Sequence, residues 1–224
     1  MKRTIFITGT DTCVGKTVLT ALLARFLRGR GFDVAAFKPV CSGGRADVLA
    51  LHKALEGALT LDEINPWHFR AGLAPSLAAG LEKKTVKLSA VLAHTRATRK
   101  KFKVTLVEGA GGLLSPLGMD FNSRDLMTAL RARPVIVAQN KLGAVNHVLL
   151  TLEALPKKLR AKARVVLMMP AKPDAATPSN AKLLGQFLSR EKIFTLPWLG
   201  KRFSAAEALK KTQVRRTLAA LSRV

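Results

Sequence analysis

The segment TIFITGTDTCVGKTVLTALLARFLRGRG (4–31) restricts the possible folds more than any other part of the chain. Its first six residues form a β-rich run that ends in Gly9. GTDTCVGKT follows, and then apolar residues at 18, 19, 22, 23, 26 and 27 keep helical spacing until Gly29 and Gly31 stop it. DVAAFKP (33–39) then reads as a second strand, ended by proline. Strand, loop, helix, strand is a βαβ unit, and its crossover is right-handed.

The alternation continues. FKVTLVEGAGG (102–112) reads as a buried strand with a glycine-rich turn, and RPVIVAQN (133–140) as a strand followed by the helical LGAVNHVLLTLEAL. ARVVLMMP (163–170) and KIFTLPW (192–198) add two more strands, with helical stretches at 179–190 and from Ser204 onward. Such a pattern predicts an α/β fold with a mostly parallel sheet flanked by helices, a three-layer architecture of the P-loop NTPase kind. The 224 residues suit one P-loop α/β domain spanning 1–224. The stretch 57–85, with Pro66, Gly72, Pro75 and Gly80, is the least regular and reads as an insertion near the site.

Composition excludes several classes. At 48% apolar residues the chain is not a disordered one, and its apolar runs are too short to span a bilayer. The short apolar start of MKRTIFITG runs straight into a loop instead of a cleavage site, which points to a cytoplasmic protein. Cys13 and Cys41 have neither zinc nor CxxC spacing and read as reduced thiols in loops. The net charge of +24 is spread over 96–103, 157–164 and a C-terminal stretch with Lys201, Arg202, Lys210, Lys211, Arg215 and Arg216. Aromatics are 5%, tyrosine is absent, and no basic run is interleaved with stacking residues. Nucleic acid is therefore expected to bind non-specifically if at all.

Three segments carry chemistry. In GTDTCVGKT the backbone N–H groups suit a polyphosphate, Lys16 reaches its outer phosphates, and the Thr17 hydroxyl suits Mg²⁺. Asp11, Thr12, Val14, Gly15 and Val18 complete this nucleotide-binding set. Five residues separate Gly9 from Gly15, so the strict spacing requires Thr10 in the first glycine's place. In VEGAGG (107–112), Glu108 ends a buried strand, where a carboxylate needs a cation or a metal; Gly109 and Gly112 follow it. FKPVCSGGRAD (37–47) brings Lys38, Ser42 and Asp47, with Asp47 read equally well as a helix N-cap or a metal ligand.

Taken together, GTDT-x-VGKT, KPV-x-SG, VEGAGGL and KLG-x-x-NH (141–147), in this order over nearly the whole chain, resemble the dethiobiotin synthetases. The resemblance implies a homodimer that uses ATP and Mg²⁺ to close 7,8-diaminononanoate and CO₂ into a cyclic urea, releasing ADP and phosphate. It casts Thr17, Asp47 and Glu108 as Mg²⁺ ligands, and Lys16 and Lys38 as cations around the γ-phosphate and a carbamate. Thr12 and Ser42 become polar contacts to phosphate or substrate. The helix-opening N–H groups of Gly143, Ala144, Val145 and Asn146 would hold the distant carboxylate of the substrate, across the dimer interface, and His147 packs or caps. Backbone around Pro197 to Leu199 would define the base pocket.

The sequence departs from that family at three points. Cys13 stands where glutamate is common, and no tyrosine is available to clamp the substrate carboxylate, which leaves Asn180 or Lys182 for that role. Met169 stands near the position from which an asparagine often reads adenine. Rival readings are a cobyrinate-type amidoligase, a partition-type P-loop ATPase that binds DNA non-specifically, and a degenerate inactive homologue. The first needs a glutamine-hydrolysing domain for which the chain is too short. The second needs an extra lysine early in the loop, where Thr10 and Asp11 stand. Retention of Lys16, Thr17, Lys38, Asp47 and Glu108 weighs against the third.

Overall fold

A computed structural model of the chain describes residues 2–201 and 203–222; Arg202, counted above in the basic C-terminal stretch, lies outside the described residues. Six parallel strands form the central sheet: β1 (Arg3–Gly9), β2 (Val34–Phe37), β5 (Val104–Glu108), β6 (Arg133–Gln139), β7 (Arg164–Met168) and β8 (Ile193–Leu196), in the order β2-β5-β1-β6-β7-β8. β2 and β5 are buried along their whole length, as strands covered on both faces must be, which explains their unbroken apolar runs.

From β1 the chain crosses through α1 (Lys16–Arg28) toward β2, whereas from β6 it crosses through α7 (Ala144–Glu153) toward β7 on the other side. Two right-handed crossovers in opposite directions put α1 and α7 on opposite faces. With α1 pack α2 (Ala46–Ala54), α10 (Ala205–Ala208) and α11 (Thr212–Ser222); with α7 packs α9 (Asn180–Leu184), and α8 (Lys157–Arg160) lies on β6. α5 (Leu88–Arg99) and α6 (Ser123–Ala129) pack together. The apolar core runs as one cluster from Ile5 to Leu221. No helix among the described residues is long and apolar enough to cross a membrane.

The stretch 57–85 is more ordered than its composition predicts. It holds α3 (Leu61–Ile64), β4 (Trp67–Phe69) and α4 (Pro75–Leu81), and β4 pairs in parallel with β3 (Val40–Ser42) as a second, two-stranded sheet. Thr60 caps α3 through a reciprocal capping box with Glu63. This unit is a buttress for the segment after β2: Ile64 C=O accepts from Lys38 N–H at 3.0 Å, and Leu73 C=O accepts from the Ser42 hydroxyl at 2.6 Å. Cys41 therefore lies in a buried strand, not in a loop. Two helices are also shorter than the periodicity suggests. The 179–190 stretch is helical only as α9, and the amphipathic C-terminus divides into α10 and α11.

Candidate active site

Parallel register builds the site. Ile7 lies beside Glu108, Phe37 beside Val107 and Gly9 beside Val137, so the carboxyl ends of β2, β5, β1 and β6 finish at one edge. Here the chain direction reverses across the sheet, and this is where open α/β sheets bind ligands.

The loop after β1 is curled by two residues in the left-handed region, Cys13 (φ 54°) and Gly15 (φ 99°), a shape that lets backbone N–H groups converge on an anion. Glycine is required at position 9, because a Cβ there would sit 2.7 Å from Val14 Cγ2 and 2.9 Å from the Asp11 carbonyl. Asp11 and Thr12 are exposed at the rim, with the Asp11 carboxylate accepting from the Thr12 N–H at 2.6 Å. Lys16 is folded over the loop and donates to the Asp11 carbonyl at 2.8 Å. Burial holds its pKa below the ordinary lysine range, against the pull of Glu108.

Behind the loop lies a continuous polar chain. The Thr17 hydroxyl donates to Glu108 Oε1 at 2.6 Å, Lys38 Nζ donates to the same oxygen at 2.8 Å, and Lys38 also pairs with Asp47. Glu108 is 1% exposed. Burial alone would lower the Lys38 pKa, but the two carboxylates reverse that and hold it above the ordinary range. Burial pushes Asp47 up and Lys38 more than offsets it, leaving that carboxyl below its ordinary range. Asp47 is not the N-cap of α2. Arg45 occupies the cap without a side-chain bond, and Asp47 lies inside the first turn, drawn to Lys38.

Small residues after β5 close the floor. A Cβ at Gly109 would lie 2.7 Å from Ser123 Oγ, and one at Gly112 would lie 3.4 Å from the Thr10 carbonyl. Asn122 caps α6 with a reciprocal partner in Asp125, which fixes Ser123 beneath Gly109. Ser123 and Ser115, whose hydroxyl accepts from the Gly112 N–H at 2.8 Å, were not singled out from sequence. The N-x-x-D box before an apolar run is a readable signal for the first of them.

Across the loop, a cleft of about 110 Å³ is lined by Val14, Val18, Gln139 and both Met168 and Met169 on one side. Pro197, Trp198, Leu199 and Phe203 line the other. Met168 is the methionine packed on the phosphate loop, with its Cε 3.0 Å from where a Gly15 Cβ would be. The Met169 sulfur instead accepts from the Asn140 amide at 3.2 Å.

Gly143 precedes α7 in a left-handed conformation (φ 84°). Of the four N–H groups expected to be free there, that of Ala144 is taken by the Lys141 carbonyl at 3.0 Å. Val145 is half-buried and Asn146 exposed. Asn180 does not reach toward this opening. It is buried, donating to Asn140 Oδ1 at 2.8 Å and to the Lys141 carbonyl at 3.0 Å, so it braces the segment from behind. Lys182 stands in α9.

A triphosphate loop at a sheet switch point, with buried Lys38 and Glu108 and the half-exposed Asp47 behind it, defines a P-loop ATPase. A profile described as "AAA domain" matches residues 3–205. The ATP-dependent dethiobiotin synthetase of Anaeromyxobacter dehalogenans (strain 2CP-1) is 39% identical over 201 residues, covering 88% of this chain and 90% of its own. That of Bacillus subtilis (strain 168) is 34% identical over 216 residues, covering 94% and 91%. The chain belongs to the ATP-dependent dethiobiotin synthetase family, and is by class an ATP-dependent cyclo-ligase. Among solved structures, a ParA bound to nonspecific DNA (pNOB8) superposes with TM-score 0.59 at 15% identity, covering 100% of this chain and 98% of that one. A ParA family ATPase from Chlorobium tepidum gives 0.59 at 13% identity, covering 99% and 100%. These two likenesses concern the fold alone.

Proposed function

We propose that this chain, acting as one P-loop domain over 1–224, closes 7,8-diaminononanoate and CO₂ into dethiobiotin with ATP, in the cytoplasm. The observation that carries this reading is the chain Thr17–Glu108–Lys38–Asp47, which joins the phosphate loop to the buttressed segment after β2. A second buried lysine, placed outside the phosphate loop and joined to it through Glu108, suits an enzyme that brings two anions together.

In this scheme one substrate amine captures CO₂ as a carbamate and releases a proton. A carbamate oxygen attacks the γ-phosphorus and ADP leaves. The second amine then attacks the carbonyl of the mixed carbamic–phosphoric anhydride, expelling phosphate and closing the urea. Lys16 swings from the Asp11 carbonyl to the outer phosphates, and Lys38 faces the carbamate, so each offsets the repulsion between the reacting anions. Its raised pKa keeps Lys38 charged throughout the physiological range, which suits a fixed cation and not a general base. Thr12 and Ser42 line the path as polar contacts.

Residues fit for Mg²⁺ are Thr17, Asp47 and Glu108. Glu108 Oε2 is buried without a hydrogen-bond partner among the described residues, an oxygen whose desolvation a cation would offset. Among the described residues no three His, Cys, Asp or Glu side chains cluster to hold a metal by themselves. This suits an ion completed by phosphate oxygens and water. Bound there, Mg²⁺ would neutralise phosphate charge. The helix opening at Gly143, Val145 and Asn146 is assigned to the substrate carboxylate of a partner protomer. Leu142, 78% exposed, and Leu150, also exposed, support a homodimer that covers this segment.

The test is product mass after incubation with ATP, Mg²⁺, bicarbonate and 7,8-diaminononanoate. A cyclic urea with stoichiometric ADP is expected. Tight ATP binding without urea would overturn the assignment.

A further inference from the structure

At the opposite end of the sheet lies a groove of about 1070 Å³ that the ATP site does not use. Its floor is Ile5 and Ala132, both buried. Its walls come from strand starts and helix ends that parallel topology gathers there: Lys2 and Arg3 at β1, Arg131 and Arg133 at β6. Lys157, Lys158 and Lys162, on α8 and the turn after it, complete the wall. No Asp or Glu lines the groove. The carboxylate nearest in sequence to the α8 lysines, Glu153, is engaged by Arg160. The exposed residues Lys100 and Lys103 lie beside this rim, where Lys2 Nζ donates to the Lys100 carbonyl at 2.5 Å and Arg3 N–H to the Lys103 carbonyl at 3.0 Å.

The seven cations share one opening, and Arg131, left-handed (φ 50°) as the residue that ends α6, lines it with them. Arg133 starts β6 beside Ile5 of β1, and it is held below the ordinary arginine range by burial and then by the charge of Arg3, so like charges lie near one another here. An anion spanning the groove relieves that repulsion.

We infer that this basal groove binds the sugar–phosphate backbone of nucleic acid, independently of sequence. Seven cations lining one groove of about 1070 Å³ match a ligand with regularly repeated charge better than a single phosphate. Among its lining residues there is no aromatic side chain, so bases have nothing to stack on and the contact is electrostatic.

The experiment is fluorescence anisotropy of a labelled duplex of about 30 base pairs with the full chain, across about 50 to 200 mM salt. Two triple variants of equal charge change are compared. One is Lys157→Glu, Lys158→Glu, Lys162→Glu in the groove; the other is Lys210→Glu, Lys211→Glu, Arg216→Glu on the face that carries α11. All six side chains are exposed, and ATP turnover checks that each variant is folded. The groove variant is expected to lose about tenfold or more in affinity and to flatten the salt dependence by about 2–3 in log–log slope, at about 0.9 per phosphate contact. The control should retain most of both. Equal losses in the two variants would assign the binding to bulk charge and overturn the proposal. So would polyglutamate competing as well as duplex at equal charge, which would make the occupant an acidic polypeptide. No binding at the lowest salt would overturn it as well.

Discussion

Lys38→Met separates the structural and chemical roles of the buried cluster. Methionine keeps the apolar stem but removes the cation that donates to Glu108, leaving a carboxylate 1% exposed with the Thr17 hydroxyl as its remaining hydrogen-bond partner and Lys16 as the other cation near it. Removing one member of a buried pair costs about 3–5 kcal/mol, because the other charge stays desolvated. That is a large share of a total stability of about 5–15 kcal/mol. With a urea slope of about 3 kcal/mol/M for a chain of this size, the midpoint falls by about 1–1.7 M. Adding Glu108→Gln removes the orphaned charge and keeps the hydrogen-bonding shape, so the double variant should recover most of that loss. Asp47→Asn alone should cost within about 1 kcal/mol, since the Asp47 side chain is 45% exposed. Urea unfolding without nucleotide, which would itself add stability, reads all four proteins. Urea-forming activity should vanish in both Lys38 variants regardless of stability. A single variant as stable as wild type, or a double variant no better than the single, would refute the account of Glu108 as a charge held by Lys38.

Three further outcomes are expected. Lys16→Ala should lower turnover by about 100-fold or more, the loss typical of one charge-stabilising donor, and ADP release near the wild-type rate would remove Lys16 from the phosphate site. Cys13 is exposed on the phosphate loop, while Cys41 is buried and its thiol is pushed up by that burial, so Cys41 has less thiolate at a given pH. Mass mapping after alkylation at about pH 8 should find Cys13 modified first and protected by ATP; prior modification of Cys41 would contradict the burial. For Asp47 the folded pKa is depressed, so its contribution is fully present above the ordinary carboxylate pKa and is lost as pH falls through the depressed value. Wild type and Asp47→Asn should therefore differ by the same amount at pH about 7 and about 5 and converge below about pH 4. A gap unchanged at still lower pH would break the linkage.

The six main strands and the phosphate loop are legible because each rests on local pattern: apolar runs of strand length, glycine stops, and helical spacing after Gly15. The Lys38–Glu108 pair is another matter. The residues are 70 positions apart, and nothing local links them. What joins them is register, Phe37 beside Val107, which follows only once both strands are taken as parallel neighbours ending at one edge. The internal order of the buttress at 57–85 is hidden from the sequence for a related reason. β3 and β4 are three residues each, too short for periodicity, and exist through their pairing and through bonds such as Gly43 N–H to the Phe69 carbonyl at 2.9 Å. Asp47 was open to two readings because a capping residue and an ion-pair partner look alike one turn into a helix. Only the position of Lys38 decides between them.

Parallel topology also explains why the charge excess could not be placed from sequence. A sheet whose strands all point one way collects every strand's last residues at one edge and every strand's first residues at the other. Gly9, Phe37 and Glu108 therefore meet at the carboxyl edge, while Arg3 and Arg133 meet at the amino edge, although they lie 130 positions apart. The helix ends also gather at the amino edge, and their negative dipole ends favour cations there. That effect accounts for single basic residues such as Arg25 and Arg28 in the last turn of α1. It does not account for three lysines on a four-residue helix and the turn after it, sharing a groove with Arg3 and Arg133. Helix dipoles act only within the last turn, so the remaining cations of the groove are open to a bound anion. The paired charge-reversal variants decide whether that anion is nucleic acid.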